Sequence, residues 1–138
     1  MICLTNLGMI NRKLGNYALS AEHYRNGLLL AEELPGNRDE RVIAYMMEGV
    51  ARLAVKAGKP RQAAWLLAAE VGLRKSIAAP RPPLDKEGFG QFVTEISSAL
   101  DPSSFDAAWS DGLESKADSA ISAALEIVYG YEANVPRP

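Results

Sequence analysis

Apolar and small residues recur every three or four positions along almost the whole chain, and Gly or Pro interrupts each run. That period predicts helices. The first spans residues 2–13 and carries Leu4, Leu7 and Gly8. The second spans 17–34, with Tyr17, Ser20, Ala21, Tyr24, Leu28 and Ala31 on one face. The third, 38–57, presents Ile43, Met46, Met47, Val50, Ala54 and Ala57, and the fourth, 60–77, carries Ala63, Ala64, Trp65, Leu67, Ala68 and Val71. A fifth helix over 84–100 aligns Phe89, Phe92, Val93, Ile96 and Leu100. A short sixth over 102–113 turns Phe105, Ala108, Trp109 and Leu113 inward. The last carries Ala117, Ala120, Ile121, Ala124, Leu125 and Val128, and Tyr129-Gly130 closes it.

The punctuation supports these bounds. Gly15-Asn16 and Gly58-Lys59 end the first and third helices, and Pro60 suits the first turn of the fourth. Leu34-Pro35-Gly36-Asn37 is a breaker cluster. Asp101-Pro102 reads as an N-cap followed by a first-turn proline, and Ser115-x-x-Asp118 as a capping box for the seventh helix. Pro80-Arg81-Pro82-Pro83 cannot continue a helix and forms a rigid corner. Strand-like runs of Val, Ile and Thr are missing. The fold class is therefore all-α with about seven helices, in one domain of 138 residues whose tail, 131–138, is frayed.

The first two helix pairs are copies. Gly15 aligns with Gly58, an offset of 43 residues that also places Met47 on Leu4, Val50-Ala51 on Leu7-Gly8, Ala63 on Ser20 and Leu67 on Tyr24. Each pair has an apolar face that it cannot bury alone, so pairs stack. Residues 1–34 make the first repeat, 38–77 the second, and 84–130 a three-helix part. No polar cap precedes the first helix, and such an abrupt start suggests that further protein precedes it.

Leu7-Gly8, the turn at Gly15 and Tyr17, then Ser20, Tyr24 and Gly27 followed by Pro35 resemble a tetratricopeptide repeat. Leu4 and Asn11 stand where that motif has aromatics, and Pro35 comes about one turn late. The resemblance implies a right-handed superhelix of antiparallel helix pairs. Residues from Gly58 to Glu126 further resemble the C-terminal end of large bacterial regulators of the LuxR/MalT type. The residues concerned are Gly58-Lys59-Pro60-Arg61-Gln62-Ala63-Ala64, Leu66 to Glu70, Phe105, Ala107-Ala108-Trp109, Gly112, Ala117, Ala120 and Ala124-Leu125. The role this implies is that of the sensor and interaction region alone. The sequence lacks a Gly-x-x-x-x-Gly-Lys-Ser/Thr loop, so no ATPase chemistry carries over.

In stacked repeats of this kind the first helix of each pair lines a concave groove. By that analogy Thr5, Met9, Arg12 and Lys13, with Tyr45, Glu48, Arg52 and Lys56, face a ligand. The Lys and Asn with which some such repeats grip a peptide carboxylate are replaced here, at positions that include Thr5, Met9 and Gly49, so that grip is expected to be absent.

Charge adds a second picture. Net charge is −2, but residues 1–81 hold 12 Lys/Arg against 7 Asp/Glu, and 82–138 hold 3 against 10. The split reads first as two solvated surfaces of ordinary charge; the sharper alternative is a bipolar domain that pairs head-to-tail or meets a charged partner. The basic residues are scattered rather than striped, so no direct nucleic-acid binding is expected. No apolar run approaches the ~20 residues that span a membrane, and no signal peptide is visible. The expected location is the cytoplasm.

Catalytic chemistry is thinly supplied. Cys3 is the one cysteine and His23 the one histidine, so neither a disulfide within the chain nor a Cys–His metal set follows. No metal or cofactor is expected. The leading expectation is a non-enzymatic protein-interaction or ligand-sensing module of a bacterial signalling or transcriptional regulator, with a protein or peptide partner. A self-associating adaptor, a homodimer, is the alternative. A small enzyme built on His23 and nearby carboxylates stands a distant third.

Overall fold

Over the described residues, seven α-helices and one short 3-10 turn follow in order: α1 (Ile2–Lys13), α2 (Tyr17–Glu33), α3 (Glu40–Lys56), α4 (Pro60–Ser76), the turn Pro83–Asp85, α5 (Lys86–Ser98), α6 (Pro102–Leu113) and α7 (Ala117–Asn134). The computed structural model describes residues 1–36 and 38–134, and among these there is no strand. Asn37 of the breaker cluster and residues 135–138 of the expected tail lie outside the described residues.

The helix ends follow from local chemistry. Gly15 (φ 83°) and Gly58 (φ 75°) occupy the left-handed region. Each lets the next amide reach back, Asn16 N–H to the Asn11 carbonyl and Lys59 N–H to the Ala54 carbonyl, both at 2.8 Å. These are Schellman closures. α4 ends the same way, with Ala79 N–H on the Arg74 carbonyl at 3.0 Å, but here Ala78 holds the left-handed position, with φ 52°. Asp39 caps α3 by accepting from Arg41 N–H at 2.9 Å, and Asp101 caps α6 by accepting from Ser104 N–H at 3.0 Å. The Ser104 and Ser103 hydroxyls also donate to Asp101, and together these bonds hold its pKa down at about 2.

α1 and α2 form one antiparallel hairpin, and α3 and α4 a second laid against it. α6 packs along α4, and α7 returns across α2, α3 and α4. One continuous core joins them, built on Leu28, Ile43, Met46, Met47, Leu66, Leu67, Ile121 and Val128. Small residues set how closely the helices approach. A Cβ at Gly8 would fall 2.8 Å from the Tyr24 ring, and one at Gly72 would fall 2.6 Å from the Leu113 carbonyl. The Ser20 hydroxyl, buried between α1 and α2, donates to the Gly8 carbonyl at 2.6 Å.

Three local expectations are corrected. Ser115 does not cap α7: its hydroxyl donates back to the Gly112 carbonyl at 2.7 Å, and α7 opens from Lys116 instead. Gly130 does not end α7, which runs on to Asn134, because Tyr131 packs against the core and tertiary contact outweighs the weak helix propensity of glycine. Leu113 faces outward, since its backbone rather than its side chain meets α4 at Gly72. The two tryptophans pack against the core as read: Trp109 stacks on Phe105 at 5.5 Å between centroids, and the Trp65 indole N–H donates to Asp111 at 2.8 Å.

Candidate functional site

Because α1 and α3 run side by side, their outward residues share one surface. The chain after α4 bends back over that surface and supplies a third wall. The result is a groove of about 650 Å³. Thr5, Met9 and Arg12 line it from α1, Tyr45, Glu48 and Gly49 from α3, and Ala79, Pro80 and Pro82 from the linker. A smaller cleft of about 210 Å³ continues past Arg12, between Arg52 and Lys56 of α3 and Phe92 and Glu95 of α5.

Seven of the eight residues expected from the sequence line one cleft or the other, and Arg12 lines both. Lys13 is the exception: it is exposed and lines neither. It lies one helical position, about 100°, beyond Arg12, which turns it off the groove. Thr5 is a buried wall residue, its hydroxyl already donating to the Met1 carbonyl at 3.0 Å. Lys56 stands at the far end, 5.9 Å from the Tyr17 ring centroid.

An ionic network pins the linker in place. Glu70 is fully buried on α4, and its carboxylate receives both the Arg74 Nε and the Arg81 guanidinium, the latter reaching Oε1 at 2.7 Å. Arg81 also reaches Glu48 at 3.4 Å, as does Arg52. Each arginine lies over an aromatic face: Arg81 over Phe89 at 3.9 Å, Arg52 over Phe92 at 4.3 Å and Arg74 over Tyr45 at 4.9 Å. Such stacking favours a cation that has lost its water. Burial pushes the Glu70 carboxyl pKa up, against the pull of Arg81 and Arg74. For Arg74 burial is the largest influence and acts downward, but the bond and charge of Glu70 together with Tyr45 outweigh it and the pKa is raised. Burial likewise raises the Tyr24 phenol, opposed by the adjacent Arg12 guanidinium.

The site is electropositive. Arg12, Arg41, Arg52, Lys56 and Arg74 face Asp39, Glu48 and Glu95 across the two clefts, five cations against three carboxylates on a chain of net charge −2. Sequence reasoning missed Arg74, Arg81 and the proline wall. The spacing of Glu70 and Arg74, four residues apart on α4, was the available signal. Arg81 gave none, since only the fold of the linker brings it to Glu70.

Among the described residues, no group of three or more His, Cys, Asp or Glu is arranged to hold a metal ion. His23 is half-buried on α2 and borders neither cleft. None of the helices, over the described residues, is long and apolar enough to cross a membrane. No family model, no curated protein and no solved structure matches the chain.

Proposed function

We propose that this chain is a non-enzymatic binding module: a helical-repeat domain of the tetratricopeptide type that takes a peptide or small ligand between α1 and α3. A sensor or interaction role inside a bacterial signalling regulator, working in the cytoplasm, fits that reading. The observation that carries it is the convergence of the α1 and α3 residues on two adjoining clefts that meet at Arg12. Their walls mix apolar side chains with a few fixed charges, the usual make-up of a ligand site.

The test is selection of peptides from a random display library on the immobilised chain, then binding of the selected peptides to two variants. Tyr45→Ala removes an aromatic wall, and Arg52→Glu reverses a charge beside the second cleft. Both should lose the selected peptides while keeping the helical circular dichroism spectrum. Peptides that bind both variants as they bind the parent would remove the groove from consideration.

A second reading, self-association, has its own observation. Leu7 and Ile10 on α1 and Leu14 at its C-cap stand three and four residues apart and are 42%, 48% and 70% exposed. Contiguous exposed apolar residues at helical spacing mark a surface that another helix covers.

A further inference from the structure

Among the described residues, two buried donors in the groove have no acceptor. Arg74 is only 7% exposed. Its Nε serves Glu70 and its Nη1 the Ala79 carbonyl at 3.3 Å, but its Nη2 is buried and unpartnered. The Arg12 Nε, where the two clefts meet, is also buried without a partner. Native proteins rarely leave such groups unmade, and an unmade donor in a ligand cleft points to an acceptor brought by the ligand. The nearby carboxylates are already engaged: Glu70 by Arg74 and Arg81, Glu48 by Arg52 and Arg81, Asp39 by Arg41.

The complement of these two arginines is an anion. The excess of cations across both clefts favours the same sign. Between the charges the walls are apolar, with Ile2, Met9, Val42, Pro80 and Pro82. The path continues beyond Arg12 into the second cleft, so its shape suits an extended chain rather than a compact ion. Resting on the groove reading above, we infer that the partner is an acidic peptide segment in which glutamate or aspartate alternates with apolar side chains. One carboxylate accepts from Arg74 and another from Arg12, while the apolar side chains lie against Met9, Val42 and the prolines. These cations stand elsewhere than Thr5, Met9 and Gly49, which occupy positions used by the peptide-gripping repeats.

The test uses the full chain and two fluorescein-labelled hexapeptides, Ala-Glu-Leu-Glu-Leu-Ala and its isostere Ala-Gln-Leu-Gln-Leu-Ala, read by fluorescence anisotropy at low salt. The acidic peptide should bind at least about tenfold more tightly, since charge-assisted hydrogen bonds are roughly twice as strong as neutral ones. Arg12→Gln should bring the two peptides close to parity while the fold stays intact by circular dichroism. This variant spares the Glu70 network, so loss of preference is not loss of structure. Equal affinity of the two peptides for the parent, or an undiminished preference in Arg12→Gln, overturns the inference and leaves the groove standing. Adipate competing as well as the acidic peptide would also overturn it, in favour of a small dicarboxylic acid. Failure of both peptides to bind would count against the groove itself.

Discussion

The Tyr24 phenol fills the space where Gly49 lacks a side chain. Tyr24 belongs to α2, yet its ring is held between Gly8 of α1 and Gly49 of α3, so one buried aromatic sets the spacing of three helices. A Cβ at Gly49 would collide with the phenol oxygen, and one at Gly8 would meet the ring at 2.8 Å. Alanine normally gains about 0.5–1 kcal/mol over glycine inside a helix. Here overpacking, about 1–3 kcal/mol, opposes that gain and wins. Gly49→Ala should therefore lower stability in urea melts by about 1 kcal/mol or more. Gly90→Ala on α5, with no atom within 4 Å of the added carbon, should raise it by about 0.5–1 kcal/mol. A stabilised Gly49→Ala would show that Tyr24 moves freely and does not set the helix spacing.

Those glycines also show what the sequence carried. The ends of α1 and α3 were readable because Gly15 and Gly58 solve a local problem, closing a helix through a left-handed residue. Asp101-Pro102 was readable for the same reason. The α1/α3 face was readable because helical period and the 43-residue offset place Thr5, Met9, Arg12, Tyr45, Glu48, Arg52 and Lys56 together without any long-range information. Lys13 failed by one position on that same period. The wall formed by Pro80 and Pro82 was not readable, because it depends on Arg81 finding Glu70 across the fold. The continuation of α7 through Gly130 and the reassignment of Ser115 failed alike: local propensity yielded to contacts with other helices.

Ala78 is a point of strain. It ends α4 in the left-handed region at φ 52°, where a side chain costs about 1–2 kcal/mol that glycine does not pay. Glycine also frees the unfolded chain, which takes back part of the gain. Ala78→Gly should raise stability by about 0.5–1 kcal/mol, read from the urea midpoint at constant slope. A drop in stability would mean that the Schellman closure at Ala79 costs little as it stands.

Glu70 holds the linker through two arginines whose side chains are 8% and 9% exposed. Removing its charge leaves both guanidinium groups buried with less compensation. Breaking a buried pair in this way costs about 3–5 kcal/mol, a large share of the 5–15 kcal/mol typical of a domain. Glu70→Gln should show a loss of that order in denaturant melts. It should also speed hydrogen exchange at the Ala79 amide, which bonds the Arg74 carbonyl. A loss below about 1 kcal/mol would place the arginines in water and take the third wall off the groove.

The self-association reading makes a prediction that salt decides. Two features favour contact between copies, the apolar line of Leu7 and Ile10 on α1 with Leu14 at its C-cap, and the opposed charge of the two parts of the chain. They answer salt in opposite ways. Exposed charges more than about 8 Å apart are largely screened at 0.15 M ionic strength, whereas apolar burial is unscreened and is strengthened by sulfate. If α1 makes the contact, light scattering should give a dimer that persists at high salt and falls to monomer in the Leu7→Glu, Ile10→Glu double variant. Both side chains lie outside the two clefts, so peptide binding by that variant should match the parent. A dimer lost on adding salt would assign the contact to the charge split. A monomer at every salt concentration would end this reading and leave ligand binding at the α1/α3 groove as the remaining one of the two.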